Sequence, residues 1–191
     1  MSISLEGNPA LVLIDFQKGF EDISYWGGQR NNPAAEANAA RLLHYWRENN
    51  LPVIHIQHCS SNPDSRLAEG QEGNEIKDLV KPLAGEPVIK KNVNSAFIGT
   101  DLKQQLDDAG ISQLVIAGLT TDHCVSTTTR MAGNYGYETF LVADACATFN
   151  KVGADGQNYP AELIHDTALA SLHNEFAIVM NTDELIDKLK G

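Results

Sequence analysis

The chain is poor in cysteine, in basic charge and in long apolar runs, and each shortage closes off a class of protein. Its three cysteines, Cys59, Cys124 and Cys146, are an odd number with no close spacing. That argues against a disulfide framework or a zinc ribbon and fits a reducing compartment, so a cytoplasmic protein is expected. No apolar run approaches the roughly 20 residues that cross a membrane. The opening MSISLEGNPALVLID lacks a basic leader, so no secretory signal is expected. Lys and Arg number 14 against 25 Asp and Glu, a net charge of −11. A surface of that sign repels phosphate backbones, and no basic run offsets it, so no nucleic-acid partner is expected. The glycine fingerprints of dinucleotide and P-loop sites are missing too. The first apolar run ends instead in DFQKGF, and no cofactor is expected.

What is present is ordinary for a globular domain: 42% apolar and 20% charged residues in 191, enough for one domain over 1–191 with a real core. Apolar runs alternate with helical patterns. Ala10 to Ile14, Pro52 to Ile56, Pro87 to Lys91, Leu114 to Ala117, Phe140 to Ala143 and Ala177 to Met180 read as strands. Pro33 to Asn49, Thr100 to Ala109, a segment from Cys124 to about Tyr135, Ala161 to Asn174 and Thr182 to Lys190 read as helices. In the first of these, Ala37, Ala40, Leu42, Leu43 and Trp46 fall near helical spacing. Thr100 can cap the second and Gly110 ends it. Pro63 to Gly73 and Asn150 to Tyr159 read as loops. Nearly continuous apolar strands between helices predict an α/β fold: a doubly wound three-layer sandwich on a central, mainly parallel six-stranded sheet.

The stretch LVIAGLTTDHCVSTTTRMAGNYGYETFLVADA, Leu114 to Ala145, reads as strand, turn, helix and strand, with Cys124 where the helix begins. Free N–H groups and the helix dipole at such a start favour a thiolate, so a depressed Cys124 pKa is expected. In doubly wound sheets ligands sit beyond the strand carboxyl ends. Asp15, Lys91 and Cys124 all fall there. Taken singly each has a bland reading: a turn-forming Asp, one of two solvated lysines, a small buried Cys. Taken together they offer a nucleophile, a cation to support it and a carboxylate to move its proton.

Three motifs sharpen this. DFQKGF (Asp15 to Phe20), KNVNSAFIGTDL (Lys91 to Leu102) and GLTTDHCV (Gly118 to Val125) resemble those of the isochorismatase-like cysteine hydrolases, in the same order and across essentially the whole chain. The resemblance implies a catalytic triad of Asp15, Lys91 and Cys124. Lys91 holds the family's spacing to Ser95, and strand alternation turns Lys90 to the other side. The resemblance also implies a cis peptide between Leu119 and Thr120, and an oxyanion hole from the Thr120 and Cys124 amides.

The activity so implied is hydrolysis of a C–N bond, amide or carbamoyl, in a small metabolite through a Cys124 acyl-enzyme. Ether cleavage as in isochorismatase, or non-catalytic binding of a small molecule on the same fold, are the alternatives. Gln17, Phe20, Trp26, His58 and His123 are pocket candidates. The loops Ser24 to Asn32, Ser60 to Gly73 and Asn150 to Pro160 are where specificity is expected. HIQHCSSNPDSR (His55 to Arg66) lacks the Asp-x-His metal signature of nicotinamidases, so no metal is expected. Cys59 and Cys146 read as packing residues, and His44, His165 and His173 as structural. Family members commonly form homodimers or homotetramers, which is the assembly expected here.

Overall fold

A computed structural model describes residues 3–190. Its strands in chain order are β1 (Ala10–Ile14), β2 (Val53–His58), β3 (Val88–Lys91), β4 (Gln113–Leu119), β5 (Glu138–Ala147), β6 (Lys151–Val152), β7 (Asn158–Tyr159) and β8 (Ile178–Met180). The helices are α1 (Ile23–Trp26), α2 (Ala35–Glu48), α3 (Leu102–Asp108), α4 (Ser126–Asn134), α5 (Ala161–Leu172) and α6 (Thr182–Lys190). Six strands make one sheet in the order β3-β2-β1-β4-β5-β8, with every neighbouring pair parallel. The expected doubly wound six-stranded sandwich is what forms. From β1 the chain winds outward to β2 and β3, then returns to β4 and winds the other way. The reversal leaves a crevice between the carboxyl ends of β1 and β4.

Strand alternation builds the two outer layers. Leu11, Leu13, Val115, Ala117, Phe140 and Val142 face α2 and α6, where Leu42, Leu43, Trp46, Leu185 and Leu189 cover them. Val12, Ile14, Ile54, Ile56, Ile116 and Leu141 face the opposite layer, with Leu102 and Leu106 of α3, Ala132 of α4 and Leu172 of α5. Side chains as large as Trp46, Phe140 and Leu42 are fully buried. Each stabilises the fold by about 1.5–3 kcal/mol relative to exposure. Ala37 departs from the expected core stripe: it is exposed, and Ala35 and Ala39 are buried in its place.

Other differences are local. The helix expected from Thr100 starts at Leu102; the Thr100 hydroxyl donates back to Ala96 O and accepts from Leu102 N. Gly110 does end it, with φ +64°. β5 runs ten residues rather than four, and the segment read as a loop from Asn150 contains the antiparallel β6–β7 hairpin. Most consequential, Cys124 does not open an α-helix. Thr121–Val125 forms a single π-helical turn, and α4 begins only at Ser126.

Candidate active site

Each strand end delivers one group to the crevice. Asp15 follows β1 in the left-handed region, φ +52°, which aspartate tolerates better than most residues. His58 and Lys91 end β2 and β3 and are register partners, so both side chains leave the sheet on one side. Lys90 turns the other way and pairs with Glu69 at the surface. β4 delivers the Leu119–Thr120 peptide, which is cis, and then the turn that holds Cys124. Gly118 permits this approach: a Cβ there would lie 2.3 Å from Ile14 O, the residue before Asp15.

Lys91 Nζ joins these groups. It donates to Asp15 Oδ2 at 2.7 Å, to His58 Nδ1 at 3.1 Å and to Cys124 Sγ at 3.2 Å. The Asp15 and Lys91 side chains are fully shielded from solvent. Asp15 Oδ1 is buried and carries no hydrogen bond. The thiol of Cys124 also faces Asn94 Oδ1 at 3.8 Å. Asp15, His58 and Cys124 each present a ligand atom within 4.8 Å of the others, close enough for a metal ion. The Lys91 ammonium already bonds to all three, so the donor set suits this internal cation.

The expected low Cys124 pKa is overturned. Burial, the largest cause, and the facing Asp15 charge push the thiol well above its usual range; Lys91 pulls the other way and is outweighed. His58 is held below the usual histidine range by burial and then by the Lys91 charge.

A cavity of about 130 Å³ opens over Cys124, lined by Phe20, Trp26, His58, Leu67, Asn94, Thr120, His123 and Lys151 as well. Four of the five pocket candidates are on this wall. Gln17 is not. It is fully buried and clamps the end of β2: its Nε2 donates to His58 O and Asn74 O, and its Oε1 accepts from His58 N. Trp26, Leu67 and Lys151 come one from each of the three loops expected to set specificity. Phe20 and Trp26 on the wall form an aromatic cluster with the fully buried Phe149.

Leu67, Asn94 and Lys151 were not among the candidates. Leu67 is an apolar residue in a polar loop, a signal that could have marked it. Asn94 lies between Lys91 and Ser95 of a recognised motif, and Lys151 is a cation just past the β5 end. In that motif Ser95 Oγ accepts from Phe97 N, and Ala96 N donates to Thr128 Oγ1, fixing the loop to α4.

The turn itself is supported from outside. Thr121 Oγ1 meets His165 Nδ1 of α5 at 2.8 Å, both buried. His165 Nε2 lies 3.3 Å from Asn32 Nδ2, which donates to Ala143 O and Cys146 O of β5. Asp122 accepts from the Thr148 hydroxyl and lies 3.4–3.5 Å from His123 Nε2 and Lys151 Nζ. Burial works to raise its pKa, but these partners outweigh it and keep it low.

Residues 9–184 match the model of the isochorismatase domain. The chain belongs to the isochorismatase family. It is 47% identical to the isochorismatase family protein YrdC of Bacillus subtilis, over 96% of this chain and 97% of that one. A crystal structure of an isochorismatase-family protein from Chromobacterium violaceum superposes with a TM-score of 0.94 at 41% identity, covering 100% of this chain and 98% of the other. Nicotinamidase 3 of Arabidopsis thaliana is 27% identical over 95% of this chain and 89% of its own. The protein is thus an isochorismatase-family hydrolase.

Proposed function

We propose that the protein hydrolyses a C–N bond of a small amide or carbamoyl compound through an acyl-enzyme on Cys124. The observation that carries this is the three-way contact at the cavity floor: one buried ammonium bonded to both a carboxylate and a thiol. The free Asp15 Oδ1 takes the Cys124 proton as the sulfur attacks the carbonyl carbon. Lys91 holds the two groups together and offsets the negative charge that develops. The Thr120 and Cys124 amides stabilise the tetrahedral oxyanion. Asp15 then passes the proton to the leaving nitrogen, and water, activated by the same carboxylate, releases the acid.

A thiol that is neutral at rest suits this order of events. Proton transfer accompanies attack, and no buried thiolate has to persist without substrate. Nicotinamidase 3 among the relatives supports a C–N bond as the target, and an N-carbamoylsarcosine amidase is among the structural neighbours. The second of these is only 24% identical and speaks for the fold alone.

A screen of small carboxamides and carbamoyl compounds against four proteins tests the reading. Wild type turns over at least one of them. Cys124→Ala, Asp15→Asn and Lys91→Ala each lose about 10³-fold or more in kcat, and double variants lose little beyond the singles, because the three act as a unit. Wild-type turnover by Cys124→Ala contradicts it. No metal or cofactor enters this scheme.

A further inference from the structure

His58 faces the same cavity as Cys124, and its ring has one fixed orientation of charge. An ammonium has three N–H donors and no acceptor. Lys91 spends them on Asp15 Oδ2, Cys124 Sγ and His58 Nδ1. Nδ1 of His58 is therefore an acceptor. Burial and the Lys91 charge keep the ring neutral, and a neutral imidazole with a bare Nδ1 carries its proton on Nε2. Gln17 fixes the backbone from which the ring projects, bonding the His58 N–H and carbonyl at 2.9 Å each, and the Lys91 contact holds the ring itself. Nε2 has no hydrogen-bond partner among the described residues. The same wall carries the apolar Phe20, Trp26 and Leu67.

We propose that His58 is the specificity-determining donor of this site, selecting compact acyl groups that carry a hydrogen-bond acceptor beside the scissile carbonyl. A keto, ether or ring heteroatom with a free lone pair accepts from Nε2–H. An N–H or an ammonium in that place meets a donor instead, with the Lys91 charge behind it. A hydrocarbon there leaves the donor unpaired after displacing its water. The acyl group seated against His58 is expected to be compact, since the cavity over Cys124 measures about 130 Å³. This inference rests on the hydrolase reading for the identity of the scissile bond, but the donor itself can be tested without turnover.

Two measurements do so. Nitrogen-15 NMR of histidine-labelled wild type reads the tautomer directly. His58 is expected as the Nε2–H form at neutral pH, and Lys91→Met should release it to a mixture. Protection of Cys124 against methyl methanethiosulfonate then reads binding of 2-methoxyacetamide against its hydrocarbon isostere butanamide. Wild type should bind the ether about tenfold more tightly. His58→Phe should erase the preference, and His58→Gln, which returns an N–H donor, should restore part of it. An Nδ1–H tautomer, or equal protection by the two amides, or by neither, overturns the proposal. A clear preference without hydrolysis of any amide leaves the donor assignment standing and removes the reading of C–N hydrolysis through Cys124. Hydrolysis with the same ether preference in wild type and His58→Phe does the reverse.

Discussion

Ionising Cys124 in the resting site would place a thiolate and the Asp15 carboxylate together in a buried pocket with one ammonium between them. Keeping the thiol protonated leaves the cluster neutral, and burial makes the neutral arrangement the stable one. The free protein should therefore show no thiolate absorbance attributable to Cys124 near pH 7. The signal, taken as the difference from Cys124→Ala, should appear only above the ordinary thiol range. A titration midpoint below pH 8 would show that Lys91 prevails over burial. Gly118 is the second residue on which the site turns. Gly118→Ala forces a Cβ against Ile14 O at a φ of +156°. It should destabilise the protein by roughly 1–3 kcal/mol, as overpacking does, and reduce turnover further than the stability loss explains. Denaturant melts and kcat measured on the folded fraction separate the two effects.

At the scale of elements, the π-helical turn after β4 is the part that places Cys124 in the crevice, and α5 and the Asn32 region brace it. Removing the brace should leave the nucleophile present but misaimed. His165→Ala is expected to lower kcat by roughly 10²-fold, the scale of a misplacement of about 1 Å, with a smaller change in KM. Thr121→Val, which removes the other end of the same hydrogen bond, should behave alike, and the pair should not add. A loss confined to stability, with kcat intact, would make His165 a packing residue only. The elements differ in how plainly the chain announced them. β1 was readable to the residue, because Ala10–Ile14 is buried on both faces and so is apolar throughout. β5 was cut short because its later residues include Asp144, whose carboxylate accepts from Thr182 N and Oγ1 rather than facing water. Asp15, Lys91 and Cys124, which the structure brings together, were legible through three motifs. The π turn was not, since TDHCV has the composition of any turn leading into a helix. Gln17 sat in a motif yet serves β2 rather than the cavity, a distinction set by side-chain direction. His165 looked structural because its partner, Thr121, is 44 residues away in sequence.

Across the whole molecule, two partly buried carboxylates tie distant segments together. Glu36 of α2 meets Arg30 and Lys77; burial works to raise its pKa, but these hydrogen bonds bring it to about 2. Glu86 meets Arg47 and His55 and is likewise about 2 against the same burial cost. Both are depressed below their unfolded values. Their stabilisation is thus fully present above the usual glutamate range near 4.5 and is lost as pH falls toward 2. The melting temperature should drop across that window, and Glu36→Gln should flatten the drop while lowering the plateau above it. An equal slope in the variant would place the acid sensitivity elsewhere. No helix among the described residues is long and apolar enough to cross a membrane. Tyr135 at the end of α4 and Leu163 of α5 are nearly half exposed, 46% each. Burial of those helices between copies is the expected assembly, so light scattering at micromolar concentration should give a dimer or tetramer mass. The claim on which the rest depends is covalent catalysis by Cys124, and intact-protein mass spectrometry during turnover tests it most directly. Rapid acid quench of wild type with a substrate from the amide screen should show a species heavier by the acyl group, located on the Cys124 peptide and absent from Cys124→Ala. Steady turnover with the Cys124 peptide unmodified at every quench time, retained by Cys124→Ala, would contradict the account.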